Sequence, residues 1–358
     1  MKMLDPLRAM QIRGGTSKGV YLLRDDLAPY GDNLDAVLSA LMGRAPRQID
    51  GLGGDTTTTS KVAIVGPSTE DDIDVDYLFA QVNPVSGKVD WTPTCGNILA
   101  GVGPFAIERG LVAAAGETTS MRIRLVNTGA RVVATVQTPD GQVSYQGAKT
   151  IAGVAGSAAP VRMTFTDFAG GTTGSLFPTG HRIDFVDGVE VSCVDAGVCA
   201  VLMRAEDMGI SGAEAPEEIN ANTALLERVE RIRVKAGELM GMGDVSGMVV
   251  PKVMLISDSD GADARSRYLV PNVCHPTHAV GGAINLAATL SIPGTVADGL
   301  IDKPVDSGTV AIEHPSGVIG LAMTIEDDTP VGAQLTSTAR KLSDGTVFFE
   351  LDDNTGKK

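Results

Sequence analysis

The sequence predicts an α+β protein built from two similar domains. The chain has 358 residues, enough for two domains that each bury a core. Its 43 glycines and its low aromatic content of 4% are typical of short strands joined by tight turns. Each half also contains a glycine-opened apolar helix followed by a hairpin with a small-residue turn. This repetition indicates an internal duplication, with the site between the halves.

The first half begins with an extended stretch that a turn at residues 13–19, RGGTSKG, interrupts. The pattern then predicts a short helix, two strands, a buried helix that is apolar on nearly every side, and two hairpins. In chain order these elements cover residues 34–42, 60–68, 75–82, 98–109, 119–138 and 141–148.

The second half restarts near residue 181. The pattern predicts strands, an exposed amphipathic helix, a strand, a small-residue apolar helix, a pair of strands and a closing strand. In chain order these cover residues 181–205, 222–240, 252–257, 278–291, 309–326 and 344–351. We therefore expect domains at 1–180 and 181–358, with the final strand near 345–352 returning to the first domain.

Composition excludes several classes of protein. The formal net charge of -15 argues against a nucleic-acid surface, which needs a basic patch. No apolar stretch approaches the ~20 residues of a membrane span, and the N-terminus lacks the apolar core of a secretory signal. The four cysteines fit no zinc spacing, and the four histidines form no H-E-x-x-H motif. We expect a cytoplasmic protein with reduced thiols and no metal.

Cys95 is a candidate catalytic residue because it stands at the predicted start of the apolar helix. Free N–H groups at a helix start stabilise a thiolate or a bound carboxylate. Gly96 lets a ligand approach the backbone closely, and Asn97 adds a side-chain donor. The alternative is a small buried cysteine beside a turn, since free cysteine is among the most buried residue types.

Lys61 is the second candidate because it interrupts a strand that otherwise reads as apolar. Alternation places it on the face opposite Val62, and on a solvent face it would be an ordinary lysine. The preceding loop GLGGDTTTTS is suited to line a pocket with hydroxyl and N–H groups, which makes Gly54, Asp55 and Ser60 binding candidates. A lysine removed from water can act as a base.

Two glycine-rich stretches resemble nucleotide-binding motifs but fail their tests. RGGTSKG lacks the lysine that a P-loop carries after its second glycine. Its successive N–H groups still allow a nest for a carboxylate, which makes Gly15, Thr16 and Ser17 binding candidates. GVGPFA, residues 101–106, lies inside a predicted helix rather than after a strand, so we reject a dinucleotide site there.

The second half offers a matching set of candidates. His275 precedes its apolar helix, and His314 lies beside Ser316. Both histidines read by default as neutral turn residues, while their places in the repeat allow one of them to face substrate. The repeat also predicts that the helix start at Gly281 and Gly282 binds a substrate carboxylate.

Taken together, these motifs resemble the PrpF family of isomerases over most of the chain. The segments that carry the resemblance are RGGTSKG, RQIDGLGG, TSKVAIV, DVDYLFAQV, CGNILAGVGPFAIERG, HPTHAVGGA and HPSG. The resemblance implies a diaminopimelate-epimerase-like fold, in which two similar domains each form a barrel-like sheet around a central helix. In chain order these motifs are far more specific than any one of them alone.

The resemblance also implies chemistry. In the family, a lysine and a cysteine move a proton along an allylic or keto-enol system of a polycarboxylate, and the motifs place these roles on Lys61 and Cys95. Ser17 matches a pocket serine. The epimerases carry a second cysteine at the second helix, where this chain has Ala279 and Val280, so a two-thiol racemase is disfavoured.

We therefore expect a cofactor-independent isomerase of an unsaturated polycarboxylate such as 4-oxalomesaconate, in aromatic-compound catabolism. A methylaconitate or methylitaconate isomerase is the nearest alternative. A cofactor-free racemase and a non-catalytic carboxylate-binding protein are the alternatives from other classes. The expected partner is the small substrate, with no nucleic acid and no membrane, and a homodimer is left open. Which of Lys61 and Cys95 is the base is also left open.

Overall fold

The computed structural model describes residues 5–43, 47–301, 308–327 and 329–351. These residues form a sheet-rich α+β fold with few helices, which agrees with the predicted fold class. The strands are β1 Asp5–Gly14, β2 Ser17–Leu23, β3 Lys61–Pro67, β4 Val75–Val82, β5 Val89–Asp90, β6 Thr118–Leu125, β7 Arg131–Gln137, β8 Pro160–Thr166, β9 Asp184–Val186, β10 Val189–Ala196, β11 Val198–Arg204, β12 Lys252–Ser257, β13 Ala264–Leu269, β14 Thr309–His314, β15 Gly317–Glu326 and β16 Thr329–Phe349. The helices are α1 Leu34–Met42, α2 Gly96–Leu99, α3 Val102–Glu108, α4 Pro216–Ala221, α5 Thr223–Leu239 and α6 Val280–Leu290.

The chain divides into two compact units. The first unit comprises Met1–Met163 and Thr336–Lys358, and the second comprises Thr164–Leu335. In this division the first unit ends at residue 163, where the sequence analysis expected residue 180, and it resumes at residue 336, where the expected return was near residue 345.

Hydrogen bonds to Asp195 explain why residues 167–180 belong with the second unit. Asp195 lies in β10 and is 1% exposed. Its carboxylate accepts the N–H groups of Thr172 and Thr173 at 2.8 and 2.7 Å. Its carbonyl accepts the N–H of Gly170 at 2.7 Å. A buried carboxylate needs such donors, so it ties the preceding segment to its own strand.

The sheet of the first unit closes on itself. Its strand order is β1-β2-β3-β4-β6-β7-β8-β16, and β16 also pairs with β1 along Asp5–Gly14. The pairs β1–β2, β3–β4 and β6–β7 are antiparallel, whereas β2–β3 and β4–β6 are parallel. The parallel pairs require crossovers, which α1 and the α2–α3 segment provide.

Alternation along β3 separates two buried faces. Val62 and Ile64 pack in one hydrophobic cluster with Leu38 and Leu41 of α1. Ala63 and Val65 lie on the other face and are fully buried too. Helices α2 and α3 also pack against β3. The strand is therefore covered on both sides, which fits its nearly continuous apolar sequence.

The sequence predicted one continuous helix over residues 98–109. The structure instead has two short helices, α2 and α3. Gly101 separates α2 from α3, and its N–H donates to Ile98 O at 2.9 Å in a tighter i→i+3 bond. Tyr21 Oη donates to the same carbonyl at 2.5 Å. A Cβ on Gly101 would lie 2.4 Å from Tyr21 Oη, so only glycine fits at this break.

The second unit repeats the order of strand directions found in the first. The pairs β10–β11, β12–β13 and β14–β15 are antiparallel, whereas β11–β12 and β13–β14 are parallel. The segment α4–α5 connects the first parallel pair, and α6 connects the second. Helix α6 packs against β10, β11, β14 and β15. Its Asn285 is fully buried and donates to Val194 O and Val198 O at 2.9 and 2.8 Å.

Most of the other predicted elements are confirmed, with two differences. Residues 141–148 form no strand, and the short 3₁₀ segment Pro139–Gly141 ends at their first residue. The second predicted hairpin of the first half is therefore wrong. The closing strand is much longer than expected, because β16 runs for 21 residues. No helix within the described residues combines the length and apolar character that crossing a membrane requires.

Candidate active site

Lys61 is the first residue of β3 and lies opposite Gln81 of β4. Its side chain lies on the same strand face as the buried Ala63 and Val65, and Lys61 itself is half-buried, which favours the interpretation as a pocket lysine over that of a lysine on a solvent face. Lys61 Nζ donates to Gln81 Oε1 at 2.7 Å. It also lies 5.2 Å from the centre of the Phe79 ring, within the range of a cation–π contact.

Cys95 occupies the N-cap position of α2, with extended backbone angles of φ -137° and ψ 102°. The side chain is partly buried, and within the described residues its sulfur makes no hydrogen bond. The Cys95 carbonyl accepts the N–H of Leu99 at 3.0 Å and the hydroxyl of Tyr77 at 3.1 Å. Two hydrogen bonds therefore hold the Cys95 carbonyl in place, and Gly96 begins the helix directly after it.

One face of β4 supports both predicted catalytic residues. Tyr77, Phe79 and Gln81 alternate along the strand and therefore point to the same side. Gln81 and Phe79 contact the Lys61 amine, and Tyr77 binds the Cys95 carbonyl. Tyr77 and Gln81 are four residues apart, so their positions on the strand are separated by about 13 Å. The same face of β4 therefore contacts both the Lys61 amine and the Cys95 carbonyl.

Helix α2 also lies directly beside the backbone of Lys61. Gly19 of β2 pairs with Lys61 in the parallel β2–β3 ladder. A Cβ on Gly19 would lie 2.8 Å from Lys61 O and 2.9 Å from Ile98 Cδ1. Glycine at this position therefore allows α2, which follows Cys95, to approach the start of β3.

The turn between β1 and β2 is locked onto α2. Gly15 has φ +51°, and a Cβ on it would lie 2.1 Å from Asn97 Oδ1. The N–H of Gly15 donates to Thr338 O at 2.9 Å, and the N–H of Thr16 donates to Asn97 Oδ1 at 3.3 Å. These two donors are therefore already used within the first unit, which corrects the expected open nest for a carboxylate. Ser17, 4% exposed, begins β2 directly after the turn.

Gln48 organises the polar loop that leads into Lys61. It is 2% exposed, and its Oε1 accepts the N–H of Asp55 at 2.9 Å and the hydroxyl of Ser60 at 2.6 Å. Ser60 is fully buried, so its hydroxyl stabilises the loop, while the side chain of Asp55 is exposed. Gly54 packs closely on Thr59, whose hydroxyl would lie 2.6 Å from a Cβ.

Asn127 is a supporting residue that the sequence analysis missed. It lies between β6 and β7, and its amide binds both backbone groups of Phe79, at 2.9 Å each. The same amide donates to Trp91 O at 2.7 Å. Asn127 thus substitutes for a strand neighbour of β4 and ties down the segment that leads to Cys95. An asparagine at a hairpin turn usually reads as turn chemistry, which hides such a role.

Burial determines the protonation state of two tyrosine hydroxyls near Lys61 and Cys95. It raises the pKa of Tyr21 and of Tyr77 well above the ordinary value, and the nearby Cys95 raises both further. Both phenols therefore stay neutral and act as hydrogen-bond donors to the backbone of the α2 segment.

The other three cysteines lie in apolar surroundings. Burial raises the pKa of Cys193 to about 12 and that of Cys274 to about 11, and it raises the pKa of Cys199 as well. All three are classed as buried, whereas Cys95 is only partly so. Cys95 is thus the most accessible thiol of the four.

In the second unit, the structure brings the predicted histidine and serine candidates together. Ser316 Oγ donates to Pro276 O at 2.5 Å, which joins the β14–β15 turn to the segment before α6. His275 Nδ1 accepts the N–H of Thr277 at 3.0 Å. His314 Nδ1 accepts the N–H of Ser316 at 3.2 Å. Burial lowers the pKa of His314 to about 4, so this histidine is neutral near pH 7.

The glycines at the start of α6 have a packing reason of their own. A Cβ on Gly282 would lie 2.4 Å from the Tyr268 ring, and one on Gly281 would lie 2.9 Å from Gly197 O. His278, which the sequence did not single out, bonds Ser266 Oγ at 3.0 Å and is 3% exposed. Burial lowers its pKa to about 3. Carboxylate binding at this helix start stays a prediction.

Among the residues that the structure describes, no three His, Cys, Asp or Glu side chains are arranged to hold a metal ion.

A family model described as "PrpF protein" matches residues 6–350. The chain belongs to the PrpF family. This confirms the family that the motifs indicated.

Known PrpF proteins and related structures extend this result. The chain is 49% identical over 344 residues to a protein of Pseudomonas putida named 4-oxalomesaconate tautomerase, and the match covers 95% of each chain. A crystal structure of methylitaconate-delta-isomerase shares 34% identity and a TM-score of 0.85, with all of both chains covered. These PrpF relatives confirm the expectation of an isomerase.

A more distant structure shows the wider fold relationship. The structure of a hydroxyproline epimerase from Agrobacterium vitis matches with a TM-score of 0.58 at 14% identity, over 98% of this chain and 94% of the other. At this identity the likeness concerns the fold alone. The sheet-rich α+β architecture is therefore related to that of epimerases.

Proposed function

We propose that the PrpF protein described here isomerises an unsaturated polycarboxylate, such as 4-oxalomesaconate, by moving one proton without a cofactor. The observation that carries the proposal is that one face of β4 contacts both candidates, since Gln81 binds the Lys61 amine and Tyr77 binds the Cys95 carbonyl. The relative named 4-oxalomesaconate tautomerase, at 49% identity, supports the choice of substrate. Tautomerisation and an allylic shift begin with the same step, which is the removal of a proton beside a carbonyl group.

In the proposed mechanism, neutral Lys61 removes a proton from a carbon that neighbouring carbonyl groups make acidic. The electron pair of the broken C–H bond spreads into a dienolate, so the substrate provides its own electron sink. Backbone N–H groups near Gly96 and the Ser17 hydroxyl hold carboxylates and the developing charge. Removing one such donor costs about 3–4 kcal/mol. Cys95 returns a proton to the second atom of the system.

Proton NMR in deuterated buffer tests this proposal. Purified protein is mixed with 4-oxalomesaconate, methylaconitate or methylitaconate, and the spectra are followed with time. A shift of the double bond or of the keto-enol balance, with deuterium entering at one carbon, supports the proposal. Exchange at a stereocentre without a double-bond shift favours a racemase instead. Ligand-induced stabilisation with no exchange in any compound indicates a binding protein and contradicts the proposed isomerase.

The nearest alternative substrate class also has structural support. The TM-score of 0.85 and the 34% identity to the methylitaconate-delta-isomerase structure support this alternative. Both substrate classes share a carboxylated allylic core, so the same lysine serves either one. Comparing kcat/KM for 4-oxalomesaconate with that for methylitaconate decides between them.

A further inference from the structure

Gln81 is the direct polar partner of the proposed base. It faces Lys61 across the antiparallel β3–β4 pair, and its Oε1 accepts a hydrogen bond from Lys61 Nζ at 2.7 Å. In the predicted apolar strand VDYLFAQV, this glutamine is a polar residue on the face of Tyr77 and Phe79. Such a placement needs an explanation, because a strand face directed at a packed helix normally carries apolar side chains.

The surroundings fix which way the Gln81 amide points. Its Nε2 donates to Ser60 O at 2.9 Å and to Val82 O at 3.3 Å. Both partners are carbonyl oxygens, which only accept. If the amide were turned over, its oxygen would face these two carbonyls and its nitrogen would face the Lys61 donors. The oxygen must therefore point at Lys61.

Within the described residues, Lys61 makes no ion pair. On β4, Asp76 points to the opposite strand face and pairs with Arg24 and Arg124. On α3, Glu108 pairs with Lys341 at 2.7 Å. On β5, Asp90 pairs with Gln81 in the strand ladder, and its carboxylate accepts the N–H of Thr92 at 2.9 Å. Asp76, Glu108 and Asp90 therefore each have another partner.

The remaining titratable groups near Lys61 are not anionic partners of its amine. Tyr21 on β2 and Tyr77 on β4 are fully buried phenols whose pKa values burial raises well above the ordinary value. Their hydroxyls donate to Ile98 O and Cys95 O. Helix α2 carries no charged side chain, and the Cys95 thiol at its start is the remaining group that can ionise.

We propose that Gln81 is a positioning residue that holds the Lys61 amine through a neutral acceptor and so leaves its lone pair free for the substrate proton. The inference rests on the proposed function. A neutral amine has two N–H groups and one lone pair, and one N–H binds Gln81. The lone pair takes the substrate proton, and the C–H electron pair stays on the dienolate. A carboxylate at position 81 would stabilise the ammonium form instead.

Replacement of Gln81 with glutamate tests the need for a neutral acceptor. Gln81→Glu places a carboxylate beside the amine, and an opposite charge at this distance shifts a titration by about 1–3 pH units. We expect the pH at which kcat reaches half its maximum to rise by that amount. The control Gln146→Glu adds the same charge at an exposed position of the first unit and should leave the profile unchanged.

A second measurement does not depend on activity. Competitive acetylation of Lys61 over a range of pH, compared with the exposed Lys149 in the same sample, reports when the amine becomes unprotonated. In Gln81→Glu the midpoint for Lys61 should rise, while that for Lys149 should not. If wild-type protein isomerises no polycarboxylate, the proposed function fails, but the labelling still tests the role of Gln81.

Gln81→Met removes the acceptor and keeps the length of the side chain. A mispositioned base should lower kcat by about 10- to 100-fold and leave KM nearly unchanged. This variant also covers the case in which Gln81→Glu does not fold. Wild-type kcat in folded Gln81→Met, or an unshifted Lys61 midpoint in folded Gln81→Glu, overturns the proposal.

Discussion

At the scale of single residues, the side of the strand on which Lys61 lies determines what it can do. Val62 and Ile64 pack against α1, so Lys61 shares the other buried face with Ala63 and Val65. Lys61 itself is half-buried at the start of this face, so part of its side chain is removed from solvent. Its contacts with Gln81 and Phe79 hold the amine without an acidic partner among the described residues.

We expect Lys61→Ala to lower turnover by about 10²- to 10⁴-fold, the usual contribution of a general base. Lys61→Arg should fail as well, because a guanidinium keeps its proton at working pH. Steady-state kinetics on the substrate identified by NMR measure the loss, and the melting temperature checks the fold. Lys88→Ala, an exposed lysine of the same unit, serves as the control and should keep full activity. Wild-type turnover in Lys61→Arg would exclude the role as base.

Cys95→Ser separates proton transfer from packing. The serine keeps the size of the group but holds its proton far more tightly than a thiol does. If Cys95 returns the proton, this variant should lose turnover and still exchange one substrate proton with solvent through Lys61. Proton NMR in deuterated buffer measures both processes in one sample. Complete isomerisation at the wild-type rate would show that Cys95 only shapes the site.

At the scale of elements, the β1–β2 turn and α2 form one interlocked structure. Gly14 and Gly15 allow contact with Asn97, since a Cβ on Gly14 would lie 2.4 Å from Asn97 O. Arg13 adds hydrogen bonds to Gly15 O and Thr338 O, both at 3.0 Å. The residue after Cys95–Gly96 is therefore positioned by a distant stretch of the chain.

Alanine substitutions at two glycines separate backbone strain from this contact. Gly15→Ala adds a positive-φ penalty of about 1–2 kcal/mol and also overlaps Asn97 at 2.1 Å. Gly129→Ala adds the φ penalty alone, because nothing lies within 4 Å of its Cβ. We expect the Gly15 variant to lose more unfolding free energy and also activity. Urea denaturation and turnover assays measure the two effects, and equal losses in both variants would contradict the interlocking.

At the scale of the whole molecule, buried histidines make the stability of the second unit depend on pH. His278 and His314 have folded-state pKa values of about 3 and about 4, lowered chiefly by burial. His275 disfavours the charge on His278, and Arg267 disfavours that on His314. Protonation therefore favours the unfolded chain. Their stabilisation is complete above the unfolded value of about 6.5 and is lost as the pH falls toward 4 and 3.

We expect each of these histidines to lower the unfolding free energy by about 2 kcal/mol between pH 7 and pH 5. His278→Asn should remove that part of the decline, although it is less stable at pH 7. Urea denaturation at both pH values measures the difference. His181→Asn, at an exposed histidine of the same unit, should keep the full decline. An unchanged pH dependence in His278→Asn would show that His278 is not the source.

Local sequence patterns predict helix bounds correctly where the local preference agrees with the tertiary contacts of the segment. Helix α1 has the predicted bounds Leu34–Met42, and α5 begins after Asn222, whose side chain accepts the N–H of Leu225 at 3.1 Å. Residues 98–109 were misjudged because the break at Gly101 comes from Tyr21, far away in the sequence. Residues 141–148 alternate like a strand, but the structure gives that segment no ladder partner.

The sequence by itself determined the family, the repeated order of elements, and Lys61 and Cys95 as the candidate residues, because motifs and periodicity are local properties of the chain. Only the tertiary structure decided which face of β3 carries Lys61, that Gln81 is its partner, and that the N–H groups of Gly15 and Thr16 are already used. Each of these depends on strand register and on contacts between distant residues. Hydrogen-bond partners across a sheet are set by pairing, which the order of residues along one strand does not specify.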